Sequence, residues 1–188
     1  MAGRLAGKRI AIIATDGVEQ AELTEPRKAV TDEGAVADLI SVSGGSIQAM
    51  NGDIHPADTF EVDKLASAVQ AQDYDALLLP GGTVSADRLR MDEDVVAFVR
   101  QIVATGKPVG VICHGPWALV EADVVRGRTL TSYPSIRTDI TNAGGTVVDE
   151  EVVIDQGIVS SRNPDDLPAF CATIVEEFAK GQDAGAIG

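Results

Sequence analysis

Cys113 and His114 are adjacent and close an apolar run, Lys107-Pro108-Val109-Gly110-Val111-Ile112-Cys113-His114-Gly115-Pro116. The run predicts a short strand buried on both faces of a parallel sheet. Gly115 removes side-chain bulk at the turn, and Pro116 suits a first helical position, where no amide donor is needed. A cysteine at such a strand-to-helix turn is the sulfur counterpart of a nucleophile elbow. The positive end of the following helix is expected to favour its thiolate. A free cysteine can also simply fill a core, but the adjoining His-Gly-Pro favours chemistry.

Two other strand ends carry turns suited to the same site. The first strand delivers Asp16-Gly17-Val18-Glu19 and the third delivers Pro80-Gly81-Gly82-Thr83. Ligand sites of open α/β sheets lie beyond the carboxyl ends of strands. If these strands are neighbours, Glu19 approaches the sulfur and shares a proton with it, while the Gly81-Gly82 turn faces the substrate. The amides of Gly82 and His114 then form an oxyanion-binding pair. Glu22 and Glu25 read as surface charges, His55 as a surface residue, and Trp117 as packing or pocket wall. Gly-Gly-Thr-Val is neither a dinucleotide fingerprint nor a P-loop.

The elements that must position these residues follow from periodicity. Buried strands are predicted at Arg9 to Ala14, Val36 to Val42 and Asp75 to Leu79, with a hairpin excursion around Ile47 to Met50 between turns at Ser43 to Ser46 and Asn51 to Asp53. Pro26 is expected to break the first helix into a turn near Glu19 to Leu23 and a main helix from Pro26 to about Glu33. Val95, Val96, Val99, Ile102 and Val103 mark a helix within Asp92 to Thr105. A further helix follows the cysteine turn through Glu121. Later strands are expected near Leu130, Thr146, Val152 and Ile158, the last two joined at Gln156-Gly157. Asn163 caps a closing helix with Pro164 at its first position. Its apolar stripe includes Cys171, which reads as core. Strands alternating with helices imply a parallel sheet covered on both faces.

The chain has 188 residues, 45% hydrophobic and 23% charged, which suits one globular domain. Its formal charge of −14 argues against a nucleic-acid or anionic-membrane surface. Two cysteines make no disulfide framework, and no zinc spacing is present. No metal is therefore expected. The N-terminus lacks a signal-peptide core and no segment reaches a membrane span, so a cytoplasmic setting is expected. The small residues Gly181 to Gly188 are expected to fray.

Together, the segments Asp16-Gly17-Val18-Glu19-Gln20-Ala21-Glu22-Leu23, Leu79-Pro80-Gly81-Gly82, Ile112-Cys113-His114-Gly115-Pro116, Arg126-Gly127-Arg128, Thr131-Ser132-Tyr133-Pro134 and Ser161-Arg162-Asn163-Pro164-Asp165-Asp166-Leu167 resemble the PfpI/ThiJ family. That family lies within the class I glutamine amidotransferase-like superfamily, and the branch most resembled holds bacterial stress proteins and archaeal intracellular proteases. The resemblance runs from about Lys8 to Lys180. It implies a single domain over 1–188 with a flavodoxin-like three-layer α/β sandwich, the cysteine on an elbow and the early glutamate, Glu19, hydrogen-bonded to it. It also implies a homodimer or hexamer. In protease-like members a carboxylate from a neighbouring subunit orients the histidine. Asp87 lines up with it, an Asp where the archaeal proteases have Glu, after a slightly longer loop. Tyr133 matches a tyrosine near the nucleophile that could donate a proton.

Members are described as peptidases, glyoxalases, deglycases, chaperones and oxidative-stress proteins. The expectation is a cytoplasmic stress-response enzyme acting on reactive dicarbonyls or glycated adducts, with Cys113 as nucleophile and no metal or organic cofactor. Two alternatives share the need for an activated thiol: an intracellular cysteine peptidase, and a redox sensor or holdase that turns over nothing.

Overall fold

A computed structural model describes residues 3–181. The fraying expected over Gly181 to Gly188 falls, Gly181 apart, outside the described residues, as do Met1 and Ala2. The first half of the chain runs β1 (Arg9–Ile13), α1 (Gln20–Asp32), β2 (Val36–Ser41), β3 (Ser46–Asn51), β4 (His55–Glu61), β5 (Lys64–Leu65), β6 (Ala76–Leu79), α2 (Thr83–Leu89) and α3 (Glu93–Ala104). The second half runs β7 (Val109–Ile112), α4 (Pro116–Glu121), β8 (Thr129–Leu130), α5 (Arg137–Asn142), β9 (Thr146–Val147), β10 (Val152–Asp155), β11 (Ile158–Ser161) and α6 (Leu167–Lys180).

The central sheet has the order β10-β11-β7-β6-β1-β2-β5, parallel throughout except for the antiparallel edge strand β10. Period-two alternation sends the two sides of each strand into separate layers. Ile10 and Ile12 of β1 and Leu78 of β6 join Val30 of α1 and Phe170, Ile174 and Phe178 of α6. Ala11, Ile13, Leu77, Leu79, Val109 and Val111 join Val95, Val99 and Ile102 of α3 and Leu119 of α4. This is the expected flavodoxin-like sandwich. Each fully buried aliphatic side chain contributes about 1.5–3 kcal/mol, so both apolar layers pin β7 at the centre of the sheet.

Two features depart from the sequence expectations. Helix α1 is continuous through Pro26. A mid-helix proline costs about 3 kcal/mol in isolation. Here its ring lies on a buried stripe with Leu23 and Val30, and the helix packs on α6. Helices α2 and α5 were not expected at all. At seven and six residues they are too short to show a period. The hairpin of β3 and β4 forms as expected, and its β3 end bridges to the turn before α1 through Met50 and Glu19. The closing helix opens with a 3-10 turn, Pro164–Asp166, whose Asp165 amide donates to the Asn163 side chain at 2.9 Å.

Candidate active site

Strands β1, β6 and β7 are neighbours, so the three turns after them do meet. Cys113 follows β7 directly with a φ of 63°, the left-handed backbone that a non-glycine residue adopts only at a cost. Its amide donates to the Ser161 carbonyl at 3.1 Å and its carbonyl accepts the Tyr133 amide at 3.0 Å. These two bonds hold the strained residue from either side. The elbow anticipated from the sequence is present.

The sulfur lies 3.2 Å from His114 Nδ1. Adjacency in the chain does not prevent this contact, because the sharp turn folds the imidazole back over the thiol. The amides of Gly82 and His114 both donate toward the sulfur. The Gly81 amide does not face the substrate as expected. It donates to Glu22 Oε1 at 3.0 Å. A Cβ on Gly81 would stand 2.5 Å from that oxygen and 2.7 Å from Cys113 Cβ, and one on Gly82, where φ is 88°, would stand 2.2 Å from the Gly17 carbonyl oxygen. Only glycines let this loop lie so close to both neighbours.

The carboxyl group at the sulfur is Glu22, not Glu19. Helix α1 begins at Gln20, and Glu19 precedes it in extended conformation, with φ −67° and ψ 120°. Its side chain turns to the hairpin, where Oε2 accepts the Gly52 amide at 3.0 Å. Glu22, read from sequence as a surface charge, is fully buried and lies beside Cys113, where each influences the other's titration. Its Oε2 is buried with no hydrogen-bond partner among the described residues. The missed signal was a spacing: Glu22, Pro26 and Val30 recur every four residues on one buried stripe, visible only if the helix runs through the proline.

Burial, joined by the nearby Glu19 charge, pushes the Glu22 carboxyl up to about 8, so it is protonated at neutral pH. Burial also pushes the Cys113 thiol up, with a Glu22 carboxylate as the second cause, while the Gly82 and His114 amides pull it down. Burial thus works against the lowering expected from the helix end, and helix α4, at six residues, is short. A proton on Glu22 removes the second upward push. His114 is lowered by burial and so is neutral at pH 7, with Asp53 pulling the other way.

The ring of His114 stacks on Tyr133 at 4.6 Å and meets Trp117 edge-on at 5.4 Å. Its Nε2 lies 3.1 Å from Ser135 Oγ and 3.4 Å from Thr83 Oγ1. Thr83 in turn is held by Asp53, which the sequence marked only as part of a turn. Thr83 ends the Pro80-Gly81-Gly82-Thr83 turn already placed at the site, but no local signal links Asp53 and Ser135 to it, because they reach it from other segments. Asp87 is exposed on α2 and makes no hydrogen bond or ion pair with His114 within this chain. His55 is exposed, and Cys171 is half-buried on α6 and not fully in the core.

A cleft of about 180 Å³ opens over the sulfur, lined by Glu19, Glu22, Gly52, Asp53, Gly82, Cys113, His114, Tyr133 and Pro164. Among the described residues no group of three His, Cys, Asp or Glu side chains is placed to hold a metal ion, and no helix is long and apolar enough to cross a membrane. The arrangement presents a thiol sulfur under the cleft, a neutral imidazole beside it, a protonated carboxyl behind it and two amides aimed at it.

A model of the DJ-1/PfpI family matches residues 8–177. The chain is 44% identical to general stress protein 18 of Bacillus subtilis over 165 residues, 87% of this chain and 94% of that one. It is 43% identical to protein/nucleic acid deglycase 2 of Escherichia coli over 165 residues, 87% and 93% of the two chains. It is 42% identical to the putative cysteine protease YraA of Bacillus subtilis over 164 residues, 87% and 94% of the two chains. Among solved structures, a two-domain protein of Anabaena variabilis, with DJ-1/ThiJ/PfpI-like and ferritin-like domains, superposes with a TM-score of 0.84 at 29% identity. That match covers 90% of this chain and 47% of the longer one.

Proposed function

The chain belongs to the DJ-1/PfpI family, and from that premise we propose that it is a cytoplasmic stress-response enzyme whose Cys113 attacks reactive dicarbonyls or the glycated adducts they form. The observation that carries this reading is the strained Cys113, with His114 Nδ1 at 3.2 Å, beneath a cleft of about 180 Å³. That volume suits a substrate, or a substrate end, of a few heavy atoms.

With methylglyoxal, His114 Nδ1 takes the thiol proton as sulfur bonds to the aldehyde carbon. The carbonyl electron pair moves to oxygen, which accepts a proton from Glu22 to give a hemithioacetal. The Gly82 and His114 amides, no longer needed by a charged sulfur, turn to that oxygen. Proton transfer from the sulfur-bearing carbon to its neighbour, through an enediol, leaves a lactoyl thioester. Water cleaves the thioester to lactate and frees the thiol. No metal or organic cofactor enters this scheme. Tyr133, stacked on His114, walls the cleft and stands ready as a proton donor at its mouth. One domain over about residues 8–180 acts in a homodimer or hexamer, in which Asp87 reaches a neighbour's histidine.

The second reading is an intracellular cysteine peptidase, supported by the likeness to YraA. The experiment is lactate formation from methylglyoxal beside hydrolysis of a fluorogenic peptide, each with a Cys113→Ala control. Lactate that depends on Cys113 is expected. Peptide hydrolysis that depends on Cys113, without lactate, would hand the site to the peptidase reading. Neither activity would leave the redox sensor or holdase.

A further inference from the structure

We propose that Asp53, at the tip of the β3–β4 hairpin, is a positioning residue that fixes the tautomer of His114 through Thr83. The chain of donors and acceptors leaves little freedom. Asp53 Oδ1 accepts the Thr83 amide at 2.9 Å, and Asp53 Oδ2 accepts the Thr83 hydroxyl at 2.7 Å. A carboxylate can only accept, so the hydroxyl proton of Thr83 is committed to it. The oxygen of that hydroxyl, 3.4 Å from His114 Nε2, is left as an acceptor. Ser135 Oγ, 3.1 Å from the same nitrogen, can also accept. The arrangement is satisfied when the neutral ring carries its proton on Nε2. Nδ1 then presents a lone pair to the Cys113 sulfur at 3.2 Å and is a base toward the thiol. The opposite tautomer would turn an N–H on the sulfur and set the Nε2 lone pair against the Thr83 oxygen.

The geometry of Asp53 supports this role. Its φ of 66° is a left-handed strain in a two-sided clasp, since the same turn is held by Glu19 through the Gly52 amide. Glu19, expected at the sulfur, serves the hairpin that carries Asp53. When Nδ1 takes the thiol proton, the imidazolium has a carboxylate one hydroxyl away. The titratable groups that face His114 are Cys113 on its own turn, Glu22 and Glu19 at the start of α1, Asp53 on the hairpin and Tyr133 on the loop after β8.

The inference rests on the reading of Cys113 and His114 as a proton-transferring pair, but its test does not depend on turnover. The chain has two histidines. His55→Gln removes the exposed one and leaves a single imidazole for long-range 15N–1H correlation spectra, which distinguish a protonated ring nitrogen from an unprotonated one. In this background neutral His114 should carry its proton on Nε2. Asp53→Asn keeps the oxygen that accepts the Thr83 amide but donates to the Thr83 hydroxyl, which then turns its own proton to Nε2. The spectrum should move to the Nδ1–H form, the His114 pKa should fall, and kcat for the Cys113-dependent reaction should drop about tenfold or more. In a Thr83→Val background the same Asp53→Asn change should leave the tautomer where Thr83→Val alone puts it. Nδ1–H in the His55→Gln protein, an unchanged spectrum in Asp53→Asn, or a tautomer shift that survives Thr83→Val would each overturn the relay. The expected spectra with no lactate formed would sink the proposed reaction and leave the relay standing.

Discussion

The elbow and the α1–α6 groove each hold one of the two cysteines, and the more exposed thiol is not the one equipped to react. Cys113 is 7% exposed beneath a small cleft. Cys171 is half-buried at the edge of a groove of about 590 Å³, with Glu25, Lys28, Asp32 and Leu167 on its walls. Burial pushes both thiols up, Cys171 to about 11 with help from the Glu25 charge. The difference lies in what surrounds each sulfur. Cys113 has an imidazole nitrogen at 3.2 Å, two amides aimed at it and a carboxyl that is protonated at neutral pH. Among the described residues nothing comparable faces Cys171, where Lys28 is already paired with Asp32. Under the proposed reading, a proton path and donors for the anion, not access to solvent, make Cys113 the nucleophile.

The comparison breaks most visibly at the sulfurs themselves. Cys113→Ala should lower turnover by about 10³-fold or more, since the covalent step is lost. Cys171→Ala should leave turnover within about twofold and cost about 1 kcal/mol or less of stability, because a half-buried thiol leaves a small void. Equal losses in folded preparations of both variants would erase the distinction.

Glu22→Gln comes next, at about 10²-fold in turnover, as the amide keeps the shape but cannot deliver a proton to the substrate oxygen. It also has a stability signature. The folded carboxyl sits near 8 and the unfolded one near 4.5. Between those values the native state holds the extra proton, so stability is full below the unfolded value and falls as pH rises toward 8, at up to about 1.4 kcal/mol per pH unit. Thermal midpoints measured from pH 4 to 9 should decline more steeply for the natural chain than for Glu22→Gln. Parallel curves would mean that the folded Glu22 carboxyl titrates as the unfolded one does. Glu19→Gln should flatten the decline only in part, since it removes the lesser of the two causes that raise Glu22, and it should also loosen the hairpin.

Graded peroxide sharpens the comparison further. Cys113 should pass to sulfenic and then sulfinic acid before Cys171 is touched, with a rate ratio of about ten or more read by peptide mass mapping. The prediction runs against exposure, so oxidation of Cys171 first would show that access decides after all.

The smallest expected effect is at Asp87. If it serves a neighbouring subunit's histidine, Asp87→Asn should lower turnover by about two- to tenfold with little change in stability, and activity per chain should fall on dilution to monomers. Full activity of a verified monomer would leave Asp53 as the carboxylate that serves His114.

Much of this molecule was written locally in its sequence. Alternating aliphatic residues set the sheet and its two covering layers, because each strand must bury both faces. Glycines and a proline around Cys113 set the elbow, because few other residues allow so tight a turn. What the sequence misplaced is which acid meets the sulfur. Glu19 was the expected partner, and Glu22, three residues on, read as a surface charge. The choice was made when α1 packed on α6 with Pro26 inside it, at a cost that only tertiary burial offsets. That packing starts the helix at Gln20, turns Glu22 inward beneath Gly81 and leaves Glu19 to hold the hairpin. The same long-range folding brought Asp53, 30 residues away from Thr83 in the chain, into hydrogen-bond contact with it. Strand and turn propensities are short-range properties, whereas the partner of a buried polar atom is fixed only when distant segments meet.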